Sequence, residues 1–100
     1  MKSMVTEDLL ALLDTNEDLY ILDVREDDEV EQGMIPGAKH IALGTIPERL
    51  DELDSTKPYI IVCKAGGRSA NACAYLAGQG FDVTNLEGGM LAYDGELEFK

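Results

Sequence analysis

The feature that most restricts the fold of this chain is a glycine-containing loop that joins an apolar run to a helical pattern. The run at positions 59–62 (YIIV) is apolar throughout, which is typical of a strand covered on both faces. The loop at 63–69 (CKAGGRS) follows at once, and small residues then recur at helical spacing: Ala70, Cys73, Ala74 and Ala77. A strand that turns directly into a helix is half of a parallel crossover, so the segment predicts an α/β fold.

The rest of the chain repeats this alternation. Apolar runs at 20–24, 40–42 and 81–86 predict strands, and helices are predicted over 7–13, 26–32 and 46–53, with a polar turn at 14–18. Thr6 and Thr45 are expected to cap the first and third helices. These elements predict an α/β three-layer sandwich with a mostly parallel central sheet of about five strands and helices on both faces. One hundred residues without repeats or linkers predict a single domain, 1–100.

The loop at 63–69 places a thiol where sheets of this kind bind ligands. That place is the carboxyl end of the strands, and Cys63 directly follows the apolar run at 59–62. Gly66 and Gly67 permit backbone angles that turn amide groups inward, and the next helix begins with unpaired N–H groups and a partial positive charge. We therefore expect a ring of N–H donors that lowers the pKa of Cys63 and makes it a nucleophile without a separate general base.

Four motifs, in this order, resemble those of single-domain rhodaneses, a family of sulfurtransferases. They are DVRE at 23–26, GMIPGA at 33–38, CKAGGRS at 63–69 and EGGMLAY at 87–93, and they span essentially the whole chain. The resemblance implies a rhodanese-like fold and sulfur transfer through a persulfide on Cys63, with no metal or organic cofactor. Many relatives have His at the position of Met34 and Trp at that of Tyr93. The first departure puts a local hydrogen bond in doubt, and the second is expected to preserve aromatic packing.

The candidate site combines the loop with this resemblance. Cys63 is the expected nucleophile, and Asp23 and Arg25, which rhodanese-like domains carry beside the loop, are expected to support it. Asp23 is favoured as part of a structural ion pair, whereas Arg25 either completes that pair or adds positive potential near the thiol. The substrate is expected to be bound by the remaining loop residues: Lys64, Ala65, Gly66, Gly67, Arg68 and Ser69.

Several side chains leave alternatives open. Arg68 holds an anionic sulfur donor, as the resemblance implies, or pairs with a surface acid. Lys64 points toward the substrate or into solvent. Cys73 acts as a resolving thiol or as a small hydrophobe, and we favour the second because it lies on the apolar face of its helix. The single histidine, His40, has no Cys or His ligands near it in the sequence, so no metal site is expected.

The net charge of −12 bears on partners and location. It argues against binding of nucleic acid or of an anionic membrane surface. The acidity either serves solubility alone or steers a basic face of a partner protein toward the site. No stretch approaches the roughly 20 apolar residues of a membrane span, and the acidic N-terminal segment does not resemble a signal peptide. With two cysteines that do not suggest a disulfide scaffold, these features predict a cytoplasmic protein.

Sulfur transfer is the leading hypothesis for the function of this chain. The expected donor is a small sulfur-containing anion such as thiosulfate or a protein persulfide, and the expected acceptor is a thiol or cyanide. One alternative is a rhodanese-like domain that relays sulfur or binds proteins without turnover. A less favoured alternative is a phosphatase or arsenate reductase of the same fold. In those enzymes the loop is one residue longer than the four residues between Cys63 and Arg68.

Overall fold

Five parallel strands form a central sheet with β4 in its middle. In the computed structural model, which describes residues 1–15 and 18–99, the strands are β1 (Lys2–Met4), β2 (Tyr20–Asp23), β3 (Lys39–His40), β4 (Pro58–Val62) and β5 (Asp82–Leu86). Their order is β1-β5-β4-β2-β3, and every neighbouring pair is parallel. The predicted α/β fold with a parallel sheet of about five strands is confirmed.

Helices pack on the sheet and connect its strands. The α-helices are α1 (Thr6–Asp14), α2 (Asp27–Val30), α3 (Gly67–Gly78) and α4 (Gly89–Ala92), and two 3-10 helices span Leu43–Glu48 and Leu50–Glu52. Within the described residues, no helix has both the length and the apolar character needed to cross a lipid bilayer.

Two apolar clusters lie on opposite faces of the sheet. Successive residues of a strand point to opposite faces, and accordingly Ile61 packs in one cluster and Ile60 in the other. The first cluster includes Leu76 of α3 and Ile46 of a 3-10 helix, and the second includes Leu9 of α1. The sheet is therefore the middle of three layers, as predicted, and β4 is buried on both sides.

The predicted helix caps at Thr6 and Thr45 are wrong. Thr6 is already the first residue of α1, and its hydroxyl donates to the carbonyl of Ala92 at 3.3 Å, which ties α1 to the end of α4. Thr45 lies within a 3-10 helix, where its hydroxyl donates to a carbonyl three residues earlier at 2.8 Å. A hydroxyl both donates and accepts, so it can bind a carbonyl instead of capping a helix, either a distant one as for Thr6 or a local one as for Thr45. A capping box forms instead at α2, between Glu26 and Glu29.

The buried face of α3 also differs from the predicted one. Its buried residues are Ser69, Ala72, Cys73 and Leu76, whereas Ala74 and Ala77, which were predicted to face the sheet, are exposed. The helix begins at Gly67 and turns Ser69 toward the end of β4, and the other buried positions follow at helical spacing from Ser69. The prediction was based on the small apolar residues and did not include Ser69, which is buried.

Strand β1 was not predicted from the sequence. Two of its three residues, Lys2 and Ser3, are exposed, and it pairs only with β5 near the other end of the chain. So short an edge strand shows no apolar alternation, because little of it is buried. The turn predicted at 14–18 includes positions 16 and 17, which lie outside the described residues.

Candidate active site

Cys63 lies at the carboxyl end of β4, buried beneath the loop that follows it. Only 1% of its surface is exposed. The backbone N–H of Gly66 donates to the sulfur at 3.0 Å, and the hydroxyl of Ser69 lies 3.3 Å from it. Gly66 has a φ of 105°, a left-handed conformation that glycine adopts without steric cost. The loop therefore turns at least one backbone donor onto the sulfur, as the sequence led us to expect.

The surroundings of Cys63 lower the pKa of its thiol. Burial is the largest single influence and acts in the opposite direction, because it disfavours the charged thiolate. The hydrogen bonds to the sulfur together lower the pKa by more than burial raises it. The hydroxyl of Ser69 contributes most, followed by the backbone N–H groups of Ser69, Gly66 and Ala65. The pKa of Cys63 therefore lies below its ordinary value, and the thiolate is the nucleophilic form of the side chain.

The carbonyl of Gly66 anchors the loop to the sheet. It accepts hydrogen bonds from the backbone N–H of Ala70 at 3.1 Å and from the side-chain amide of Asn85 at 3.3 Å, and the hydroxyl of Ser69 lies 3.1 Å from it. That hydroxyl has a single proton, so it donates either to this carbonyl or, when Cys63 is ionised, to the sulfur. Asn85 lies on β5 and is 8% exposed. Asn85 was not among the site residues predicted from the sequence. Its signal was an amide near the end of the strand predicted at 81–86, at the sheet edge where ligands bind.

The glycines at 88–89 let α4 support the same loop from the other side. The N–H of Met90 donates to the carbonyl of Cys63 and the N–H of Leu91 to that of Lys64, both at 2.9 Å. A side chain at Gly89 would overlap the carbonyl of Cys63, and Gly89 has a φ of 53°. Close approach of the two backbones therefore requires glycine here.

Arg68 forms an ion pair with an acidic residue in this structure. Its Nη1 and Nη2 lie 2.5 Å and 2.8 Å from the two carboxylate oxygens of Glu29, on α2. The side chains are 34% and 24% exposed. The pair lowers the pKa of Glu29 to about 2, first through the hydrogen bonds from Arg68 and against the opposing effect of burial. Pairing of Arg68 with a surface acid was one of the two alternatives left open from the sequence, which did not name Glu29 as the partner.

Asp23 and Arg25 form a buried ion pair beside the loop. Asp23 is 1% exposed and Arg25 is 5% exposed. The guanidinium of Arg25 donates to the Asp23 carboxylate through Nη2 at 2.8 Å and through Nε at 3.0 Å. It also donates to the carbonyls of Glu29 at 3.2 Å and Gly33 at 2.8 Å. Arg25 thus fastens the segment 29–33 to the end of β2.

A pocket of about 210 Å³ opens beside the loop. Lys64, which is exposed, contributes to its wall together with Met90 and Leu91 of α4, and Leu91 is 70% exposed. Its other lining residues are Arg25, Glu29 and Gln32. The pocket combines an apolar side with charged groups of both signs, so it can receive a ligand that carries both kinds of surface.

The structure buries three further positions that were singled out from the sequence. Met34 is 1% exposed and its backbone pairs with Glu98, so the C-terminal segment covers it. Tyr93 is 9% exposed, packs in the cluster that contains Ile60, and donates its hydroxyl to the carbonyl of Glu96 at 2.6 Å. Cys73 is 1% exposed, and burial raises its pKa to about 11. A thiol with that pKa is protonated at neutral pH, which fits a packing role.

Comparison with known proteins identifies the family. The pattern of the rhodanese-like domain family matches residues 5–96. The chain belongs to the rhodanese-like domain family. The resemblance noted in the four sequence motifs is thereby confirmed.

Individual proteins match this chain over most of their length. It is 48% identical over 100 residues to YtwF of Bacillus subtilis, which covers 100% of this chain and 97% of that protein. It is 40% identical over 89 residues to a sulfurtransferase of Allochromatium vinosum, with 88% of this chain and 83% of that protein covered. The crystal structure of a rhodanese-like domain protein from Staphylococcus aureus aligns with a TM-score of 0.95 and 44% identity, covering 100% and 99% of the two chains.

Ser69→Ala is expected to raise the pKa of Cys63, because the hydroxyl is the largest of the hydrogen-bond contributions that favour the thiolate. Below its pKa a thiol reacts in proportion to its thiolate fraction, so alkylation by iodoacetamide near pH 7 should slow roughly tenfold. The rate is measured across pH in a Cys73→Ser background, where Cys63 alone reacts. An unchanged pH profile would show that Ser69 serves packing only.

Proposed function

We propose that this rhodanese-like domain is a sulfurtransferase that carries a sulfane sulfur on Cys63. The supporting observation is the hydrogen bonding of the buried sulfur by the Gly66 N–H and the Ser69 hydroxyl, which lowers the pKa of the thiol. The family membership and the sulfurtransferase relative favour the same chemistry. The loop at 63–69 binds the sulfur through its backbone donors, and no metal or organic cofactor takes part.

The transfer consists of two displacements at sulfur. The Cys63 thiolate attacks the outer sulfur of the donor, a new S–S bond forms, and the bond to the donor breaks with its electron pair leaving on the donor remnant. With thiosulfate that remnant is sulfite, and with a protein persulfide it is a thiolate. A nucleophilic acceptor, a thiolate or cyanide, then attacks the outer sulfur of the Cys63 persulfide and regenerates the Cys63 thiolate. Two half-reactions on one residue give ping-pong kinetics.

Mass spectrometry of the intact protein tests the proposal most directly. Treatment with a donor should add one sulfur, about 32 Da, and addition of cyanide should remove it and release thiocyanate. An adduct that passes to a partner protein without turnover of a small acceptor would favour a sulfur-relay module instead. Absence of the adduct with every donor would contradict sulfur transfer, and hydrolysis of a phosphate ester would favour a phosphatase.

A protein persulfide is expected to be a better donor than thiosulfate. The net charge of −12 repels a small dianion, whereas it attracts a partner that presents a basic face. Turnover is compared with a cysteine desulfurase and with thiosulfate, each at low and high salt. Salt should slow the first reaction and speed the second, because it screens attraction and repulsion alike. Faster turnover with thiosulfate at every ionic strength would contradict this prediction.

A further inference from the structure

We propose that Glu29 sets the donor specificity of the site by occupying the guanidinium of Arg68, which would otherwise bind a small anionic sulfur donor. The inference rests on the proposed sulfur transfer and names the class of donor that it disfavours. Small oxyanions such as thiosulfate are bound weakly, while a persulfide carried on a larger molecule does not depend on this guanidinium.

The geometry of the ion pair supports this role. Both carboxylate oxygens of Glu29 accept from Arg68, one from each terminal nitrogen, at 2.5 Å and 2.8 Å. A guanidinium recognises planar or tetrahedral oxyanions through the same paired N–H groups. The end of the Arg68 guanidinium that carries its two terminal nitrogens is therefore already filled by a side chain of the protein.

Arg68 directly precedes Ser69, whose hydroxyl lies 3.3 Å from the sulfur of Cys63, so the guanidinium is carried by the same loop as the reacting sulfur. The pKa of Arg68 is raised, first by the hydrogen bonds with Glu29 and in smaller part by the negative charges of Glu29 and of ionised Cys63. A change in the pairing of Arg68 therefore changes the charge that an incoming donor meets at Cys63.

Glu29 is also held in place independently of Arg68. The backbone N–H of Glu26 donates to Oε1 of Glu29 at 2.9 Å, and Arg25 donates to the Glu29 carbonyl at 3.2 Å. With its pKa lowered to about 2, the carboxyl of Glu29 stays ionised wherever Cys63 is a thiolate. Protonation consequently does not free Arg68 in the pH range in which the sulfur reacts.

The other cations near the pocket do not replace Arg68. Arg25 is bound to Asp23, which neutralises it. Lys64 forms no ion pair with any of the described residues, so it adds positive charge at the pocket. A dianionic donor thus meets one free ammonium together with a fixed carboxylate, that of Glu29. This balance favours a donor whose binding energy comes from contacts outside the pocket.

The test is the effect of Glu29→Gln on steady-state kinetics with thiosulfate. Glutamine keeps an oxygen that accepts from the Glu26 N–H, so the capping box of α2 is retained while the charge is lost. The KM for thiosulfate should fall about tenfold, as expected for one charge-assisted hydrogen bond gained. Turnover with a cysteine desulfurase and cysteine should change by less than about twofold. The matched control is Asp28→Asn, which removes the same charge from an exposed position of α2.

Two further comparisons decide whether Glu29 acts through Arg68. In an Arg68→Met background, Glu29→Gln should affect the KM for thiosulfate no more than Asp28→Asn does, because the guanidinium it would release is gone. A rise or no change in the thiosulfate KM of Glu29→Gln would overturn the inference, and so would a full effect in the Arg68→Met background. Either result leaves the sulfur adduct on Cys63 intact, whereas failure of the proposed function removes that adduct in every variant.

Discussion

Cys63→Ser is expected to abolish both sulfur loading and turnover. The hydroxyl that replaces the thiol remains protonated near neutral pH and cannot form a persulfide, so neither half-reaction proceeds. After donor treatment the parent protein should gain about 32 Da and the variant nothing. The activity of the variant should fall below the detection limit of a thiocyanate assay. This is the largest catalytic effect predicted for the chain.

The second cysteine of the chain provides the matched control. Cys73 is as deeply buried as Cys63 at 1% exposure, but burial raises its pKa to about 11 and it accepts no bond from the loop amides. Cys73→Ser should therefore load sulfur and turn over at nearly the parental rate. Sulfur loading of the two variants to the same extent would contradict the assignment of Cys63, and loss of turnover in both would indicate that Cys73 resolves a disulfide.

Asp23→Ala is expected to have the largest effect on stability among single side-chain truncations near the site. It leaves the guanidinium of Arg25, 5% exposed, without its carboxylate partner. Removal of one partner from a buried ion pair costs about 3–5 kcal/mol. That is a large part of the roughly 5–15 kcal/mol that stabilises a typical domain. Urea unfolding followed by circular dichroism measures the change, and the variant should be largely unfolded at moderate temperature.

An exposed ion pair supplies the comparison for Asp23→Ala. Arg49 and Glu52 form a close pair on the surface, with side chains 39% and 36% exposed. Water and salt screen such pairs, so Glu52→Gln should leave the unfolding midpoint nearly unchanged. If Asp23→Ala shifted the midpoint no more than Glu52→Gln, the buried pair would be a minor contributor, and Arg25 would be satisfied by the carbonyls of Glu29 and Gly33 alone.

Local patterns in the sequence were sufficient for the α/β fold and for the place of Cys63 in it. The apolar run at 59–62 predicts a strand that is covered on both faces, and β4 does have a helical layer on each face. The two glycines before a helix predict inward-facing amides because backbone freedom is a property of the residue itself, and Gly66 adopts the left-handed conformation that this requires. The position of Cys63 at the strand end follows from the same few residues.

Contacts between distant segments were decided by the tertiary structure alone. Arg68 and Glu29 are 39 positions apart, and Asn85 reaches Gly66 from a strand 19 positions later. The hydroxyl of Thr6 donates to the carbonyl of Ala92, 86 positions later, instead of capping α1, and β1 formed by pairing with β5. A local pattern records which face a residue presents, but the partner of a charge or a hydroxyl depends on which segments the sheet order brings together. For that reason the sequence by itself determined the glycine-containing loop around Cys63, while only the packed chain showed that Arg68 is held by Glu29.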